Sequence, residues 1–272
     1  WMMSSCVRRT DSHEEKEMGK MDGLVAIITG SSRGLGRAIA EEYGREGARV
    51  VVCARPQSPT GLPGTIHEVV NAIESEGGEA FPKTCDVSDE AQVEDLVQRV
   101  MDRYGRIDIL VNNAGLMVLG EGFLEIEPAR WDQSMGVNVR GPYLTCRYVV
   151  PIMMEQGRGS IINIGSRMGA DHGAGGSVLY SASKAALHMF SMCLADEVRE
   201  HNIAVNILSP GSLRSEGSSA IPWAQHDWHE RVEPDVVGPS AVFLALQDAR
   251  SFTGQYVLRS EFGKTWGWKS SR

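Results

Sequence analysis

A chain of 272 residues with a formal net charge of −8 suits one large α/β domain or two small ones. The charge argues against a nucleic-acid backbone as the main partner, because phosphate binding needs clustered lysine and arginine. The composition, 42% hydrophobic and 23% charged, is that of a soluble globular protein, and no run approaches the roughly 18 consecutive apolar residues of a membrane span.

Residues 1 to about 20 are polar, lack an apolar core of signal-peptide length, and read as a poorly ordered tail. Short β-branched runs then alternate with amphipathic segments. LVAIIT (24–29) reads as a buried strand, GRAIAEEYGREG (36–47) as a helix and ARVVVCA (48–54) as a second strand. TIHEVVNAIESEG (65–77) is a helix, EAFPKTCDV (79–87) a strand, and DEAQVEDLVQRVMDRYG (89–105) a helix whose acidic first turn suits the helix dipole. IDILVNNAG (107–115) is a fourth strand running into a turn. A long helical region over roughly 129–156 precedes a fifth strand, SIINIGS (160–166). A helix to about residue 200, a sixth strand at IAVNILSPG (203–211), a helix over 235–247 and QYVL (255–258) complete the series.

Strands apolar on both faces that alternate with helices imply a parallel sheet covered on both sides. Right-handed crossovers make this a doubly wound, Rossmann-like α/β fold. No break in composition divides residues 21–272, so a single domain is expected. Two stretches interrupt the rhythm: a Pro/Gly-rich insertion, RPQSPTGLPG (55–64), and SLRSEGSSAIPWAQHDWHER (212–231), whose length without periodicity suggests a lid or binding loop. The five cysteines, Cys6, Cys53, Cys85, Cys146 and Cys193, are odd in number and lack CxxC spacing. That favours buried reduced thiols in a cytoplasmic protein over disulfides or a metal site.

TGSSRGLG (29–36) follows the first strand and opens the first helix. Gly30, Gly34 and Gly36 let the backbone turn and approach a ligand closely, and the helix N-terminus offers unpaired N–H groups to a diphosphate. Ser32, Arg33 and Leu35 lie in the same loop. The spacing is GxxxGxG rather than the commoner GxGxxG. In YSASK (180–184), Tyr180 and Lys184 are four apart and share a helix face. A positive charge beside a phenol lowers the phenol's pKa, so this pair is expected to move a proton near neutral pH.

With NNAG at 112–115, these motifs give TGxxxGxG, NNAG and YxxxK in order. The chain from about residue 22 to 258 thereby resembles the short-chain dehydrogenase/reductase family, of the compact single-domain kind. GLPGTI (61–66) is similar to a subgroup that includes hydroxysteroid-dehydrogenase-like proteins. The resemblance implies a catalytic group of Asn138 (in GVNVRG), Ser166 (in SRMG), Tyr180 and Lys184. Tyr180 is then the general acid or base, Ser166 a donor to the substrate oxygen, Lys184 a modulator of the tyrosine and a contact to the nicotinamide ribose, and Asn138 the holder of a water linked to Lys184. It also implies cofactor contacts from Asp86 to the adenine amino group, from the backbone of Val87, from Asn113, Ala114 and Gly115 at the strand end, and from Pro210, Gly211, Leu213 and Ser215 beside the nicotinamide. Ser215 occupies a position where the family often has threonine.

The end of the second strand carries Ala54 where an acidic residue would bind the ribose 2′-OH of NAD, and Arg55 follows. Arg33 and Arg55 together suit a 2′-phosphate, so NADP(H) is preferred, with NAD(H) possible. The expected reaction interconverts a carbonyl and a secondary alcohol on a small molecule. A non-catalytic redox sensor and an isomerase or dehydratase on the same fold stay open. The substrate is unwritten. Trp223 and Trp228 either cover an apolar substrate or staple the 212–231 loop, and the glycine-rich HGAGG (172–176) reads as a mobile stretch. His172, His226 and His229 do not cluster, so no metal is expected. A homo-oligomer, dimer or tetramer, is implied by resemblance. The C-terminal RSEFGKTWGWKSSR departs from the glycine pair usual there.

Overall fold

The computed structural model describes residues 19–56, 62–171, 175–219, 221 and 225–268. The expected N-terminal tail with Cys6, residues 57–61 of the insertion, 172–174 of the glycine-rich stretch and Trp223 lie outside the described residues.

β1 (Val25–Thr29) is buried along its whole length, and its side chains divide by parity. Val25 and Ile27 enter one core, Ala26 and Ile28 the other. This two-sided burial is why the strand is uninterruptedly apolar. α1 (Gly34–Arg45), β2 (Arg49–Ala54), α2 (Ile66–Ser75) and β3 (Glu79–Thr84) follow. Thr65 and Glu68 form a capping box at the start of α2, and Asp89 caps α3 (Glu90–Tyr104) through the Gln92 N–H. β4 (Ile109–Asn112) leads to a long helical run of three parts: α4 (Pro128–Met135), a π turn (Gly136–Arg140) and α5 (Gly141–Gln156). Then come β5 (Gly159–Ile164), a short α6 (Arg167–Ala170), α7 (Val178–Glu197), β6 (Ile203–Ser209), a one-turn α8 (Glu216–Ser219), α9 (Gly238–Ala245) and β7 (Tyr256–Leu258).

The strands form a single seven-stranded sheet in the order β3-β2-β1-β4-β5-β6-β7, and every pairing is parallel. The chain runs outward from β1 to β3, then returns to β4 on the far side of β1. The loops leaving β1 and β4 therefore diverge, and a crevice opens at the carboxyl ends of these strands. TGSSRGLG, NNAG, Ser166 and Pro210-Gly211 all lie at carboxyl ends, after β1, at β4, after β5 and after β6.

The polar residues inside this fold are tied to one another. Thr145 of α5 donates to Asn112 Oδ1 (2.7 Å), Asn112 to Asn163 Oδ1 (2.8 Å), and Asn163 to Ser191 Oγ of α7 (2.7 Å). This buried chain locks two helices to the middle of the sheet. At the C-terminus Phe243 of α9 lies at the centre of an aromatic cluster, with ring centroids 5.6 Å from Phe252, 5.9 Å from Phe262, 5.8 Å from Trp266 and 5.0 Å from Trp268. Trp266 Nε1 donates to Leu258 O (2.9 Å). The unusual C-terminal sequence thus folds back over α9 and the end of β7.

Cys53, Cys85 and Cys146 are free and buried, and Cys193 is free and exposed. Burial pushes the thiols of Cys85 and Cys146 up to about 12, and the thiolate is the reactive form. An alkylating reagent therefore labels Cys193 in the native protein and spares Cys53, Cys85 and Cys146 until urea is added. Peptide mass spectrometry reads the result, and native labelling of Cys53 would contradict this packing.

Candidate active site

The loop after β1 is held by its glycines. Gly30 has φ +65°, and a Cβ there would lie 2.8 Å from Ala114 Cα. A Cβ on Gly36 would lie 2.4 Å from Asn113 Nδ2 and 2.5 Å from Gly30 O. Only glycine allows so close an approach. Asn113 ties the two loops together, donating through Nδ2 to Thr29 O (2.9 Å) and Gly30 O (3.0 Å), while its N–H and that of Ala114 donate to Thr29 Oγ1 (both 3.0 Å). α1 starts at Gly34, earlier than periodicity suggests, and no side chain caps its N-terminus at Arg33. Among the described residues no side chain accepts from its first amides, which makes them a suitable seat for an anion.

Two cavities meet along this crevice and share Asn113 and Gly115 as walls. The smaller, of about 210 Å³, is lined by Gly30, Ser32, Arg33, Ala54, Arg55, Asp86, Val87 and Ala114, among others. Arg33 Nη2 donates to Gly64 O (3.1 Å), so the end of the insertion seats this arginine. Asp86 Oδ1 accepts from the Ser88 N–H (2.9 Å) and Oγ–H (2.7 Å), an Asx turn; the cap of α3 is Asp89 instead. The larger cavity, of about 510 Å³, is lined by Leu35, Met117, Ser166, Arg167, Met168, Tyr180, Lys184, Pro210, Gly211, Leu213, Ser215, Asp227 and Arg231, among others. A Cβ on Gly34 would lie 3.3 Å from Ser215 Cβ, so Ser215 abuts the start of α1.

Tyr180 and Lys184 lie one turn apart on the buried face of α7. Ser166, at the N-cap of α6, accepts there from the Met168 N–H (3.2 Å) and lines the same cavity as the phenol. Gly169 lets α6 pack flat on α7, since a Cβ there would lie 2.7 Å from the Lys184 carbonyl carbon. Lys184 Nζ donates to Ile164 O (2.7 Å) and stands 5.8 Å from the centre of the Tyr180 ring. One expectation is corrected. Burial pushes the Tyr180 phenol up to about 12, with the nearby Ser166 hydroxyl opposing it, and burial lowers the Lys184 ammonium to about 8. Loss of water outweighs any help the ammonium gives the phenolate.

Asn138 is fully buried on the π turn, a distortion frequent at functional sites. Its Oδ1 accepts from the Leu116 N–H (2.7 Å), and its Nδ2 donates to Leu116 O (2.9 Å) and Ser183 Oγ (2.9 Å). Its carboxamide thus fixes the backbone after NNAG. A Cβ on Gly115 would lie 3.4 Å from Asn138 Oδ1 and 3.8 Å from Lys184 Nζ, which places both beside the same stretch of backbone.

Two residues of the site escaped the sequence. His188, one turn beyond Lys184, is buried under the site and accepts the Ser166 N–H at Nε2 (3.2 Å). Burial and the nearby Lys184 charge hold its pKa at about 4. Arg231 is buried in the cavity wall. Trp228 lines a separate cleft with Arg37 and Pro234, not the cavity beside Tyr180, and His226 and His229 are exposed. Among the described residues no group of three or more His, Cys, Asp or Glu side chains is placed to hold a metal ion, and no helix is long and apolar enough to cross a membrane.

The family model described as short chain dehydrogenase matches residues 24–224, and the chain belongs to this family of NAD(P)-binding oxidoreductases. It is 33% identical over 258 residues to hydroxysteroid dehydrogenase-like protein 2 of Danio rerio, covering 92% of this chain and 60% of that protein. The chain therefore spans about 60% of the length of that relative. It is 31% identical over 245 residues to the 3-oxoacyl-acyl-carrier-protein reductase of Thermotoga maritima, covering 88% of this chain and 96% of that one. A metagenomic short-chain oxidoreductase crystallised in complex with NADP superposes with a TM-score of 0.73 at 36% identity, covering 88% of this chain and 96% of that chain.

His188 gives the site a pH signature. The unfolded chain takes up a proton there near 6.5 and the folded chain near 4. Between these values the unfolded state binds the extra proton, so stability falls as pH drops from 6.5 towards 4, and above 6.5 the full contribution is present. His188→Phe keeps a ring but cannot titrate. Its urea midpoint is expected to depend less on pH across that window than that of the wild type; parallel slopes would contradict the assignment.

Proposed function

We propose that the protein reduces the carbonyl group of a small molecule to a secondary alcohol, and catalyses the reverse, with NADP(H) as cofactor and Tyr180 as the proton carrier. The observation that carries this reading is the placement of Ser166 and Tyr180 together in the wall of the larger cavity, with Lys184 one turn away.

The residues present fit a dinucleotide. The glycine walls at Gly30 and Gly36 and the uncapped start of α1 suit a diphosphate. Ser32, Gly34, Leu35, Asn113, Ala114 and Gly115 would line its course, with Asp86 and Val87 at the adenine end and Pro210, Gly211, Leu213 and Ser215 at the other. A bound nicotinamide supplies or accepts the hydride. Tyr180 keeps its proton across neutral pH because burial holds the phenol at about 12. It is therefore a general acid, poised to protonate a substrate oxygen as that oxygen gains negative charge. Ser166 donates to the same oxygen. Lys184, held at about 8, is mostly an ammonium at neutral pH and steadies the phenolate that proton transfer leaves. Asn138 holds the backbone against which this group packs.

The preference for NADP(H) rests on charge. Arg33 and Arg55 line the smaller cavity beside Ala54, where an acidic side chain would favour NAD.

Tyr180→Phe is expected to lower kcat with NADPH and a responsive ketone by about 10²–10⁴-fold while leaving NADPH affinity nearly unchanged by fluorescence titration; full turnover would sink the assignment. Arg33→Ala with Arg55→Ala should raise the Kd for NADPH at least about tenfold more than that for NADH, the scale of one or two charge-assisted hydrogen bonds. Equal weakening of both cofactors would show that these arginines do not read the 2′-phosphate.

A further inference from the structure

The larger cavity has a second polar end. Arg231 lies in its wall with its side chain only 7% exposed. Its Nε donates to Asp227 Oδ1 at 2.9 Å, and among the described residues no acceptor meets its two Nη groups. A guanidinium carries five donors and stays charged at any accessible pH, so one contact leaves four N–H bonds without a protein acceptor among the described residues, on a side chain that lines the cavity. Burying such a group is costly unless acceptors are supplied.

Arg231 has no evident structural task that explains this. Asp227 is its own neighbour in the same turn, so their ion pair ties the loop to nothing else. The loop is held instead by Arg214, which donates to Trp228 O (3.1 Å), His229 O (3.2 Å) and Glu233 Oε1 (3.1 Å), and by the pairing of Leu213 with Val232. The charges lining the cavity are Arg167, Lys184, Arg231 and Asp227, three cations against one anion. In a chain of net charge −8, this pocket is locally positive.

We infer that Arg231 is a specificity-determining residue that binds a carboxylate on the substrate, so that the protein acts on oxo acids and the corresponding hydroxy acids. The inference rests on the reading of Ser166 and Tyr180 as the reacting end of the cavity. In reduction the carbonyl carbon gains a hydride and the carbonyl oxygen a proton from Tyr180. The carboxylate is unchanged and serves as a handle, its two oxygens matching the paired Nη donors.

The test uses aliphatic oxo acids with increasing separation of ketone and carboxylate, each beside its methyl ester, with NADPH. For at least one pair the wild type is expected to prefer the acid by about 100-fold in kcat/KM, the scale of a charge-assisted bidentate contact. Arg231→Met should collapse that acid-to-ester ratio, mainly through KM. Asp227→Asn, which keeps the guanidinium and removes the negative charge of its only partner among the described residues, should raise the ratio severalfold and covers the case in which Arg231→Met fails to fold. Esters turned over as well as acids by the wild type would overturn the inference and leave carbonyl reduction standing. Calorimetric binding of a hydroxy acid separates the two claims. Arg231-dependent binding without any turnover supports the anion site and sinks the reductase reading, whereas no turnover and no such binding overturns both.

Discussion

Water is excluded from one face of one helix, and the chemistry of this site follows from that. α7 packs Tyr180 and Lys184 inward. Both are groups whose charged forms water stabilises, so burial drives each towards neutrality: the phenol up to about 12, the ammonium down to about 8. The pair is therefore not a pre-formed phenolate beside a cation. It is a protonated acid beside a base that is still mostly charged at neutral pH, an arrangement suited to giving up a proton when negative charge develops next to it. The Ser166 hydroxyl, which lines the same cavity wall as the phenol, marks where that charge would develop.

Burial on this scale requires a rigid frame. The parallel sheet supplies it, with one core on each face and the ends of four strands, β1, β4, β5 and β6, opening into one crevice. The polar chain Thr145–Asn112–Asn163–Ser191 holds α5 and α7 to the sheet without leaving buried groups unpaired. His188 does the same beneath Ser166, accepting its N–H as a neutral imidazole. The glycines at 36 and 169 act in the opposite sense, by removing side chains where Asn113 and Lys184 must approach.

The strands were readable because burial on both faces forces apolar runs, and the order of the motifs carried the family. Asn113, Gly115, Ser166, Tyr180 and Lys184 come together around the shared wall of the two cavities. What stayed hidden depends on tertiary contact. The π turn at Gly136–Arg140 interrupts a helix whose periodicity reads as continuous. The direction of the Tyr180 shift depends on how much water the whole fold removes, which the spacing of Tyr180 and Lys184 cannot convey. His188 and Arg231 look like surface residues of a helix and a loop until packing buries them, and Trp228, which looks like a substrate cover, faces a different cleft. The C-terminal departure from the family pattern becomes an aromatic cluster around Phe243, visible only once α9 and the last strand are side by side.

The account turns on the proton held by Tyr180. An ultraviolet titration of phenolate absorbance, taken as the difference between the wild type and Tyr180→Phe, measures it directly. At pH 10, where an ordinary tyrosine is half ionised, the difference spectrum is expected to show a phenol. A phenolate signal from Tyr180 already present near neutral pH would mean that the ammonium, not the loss of water, controls the site.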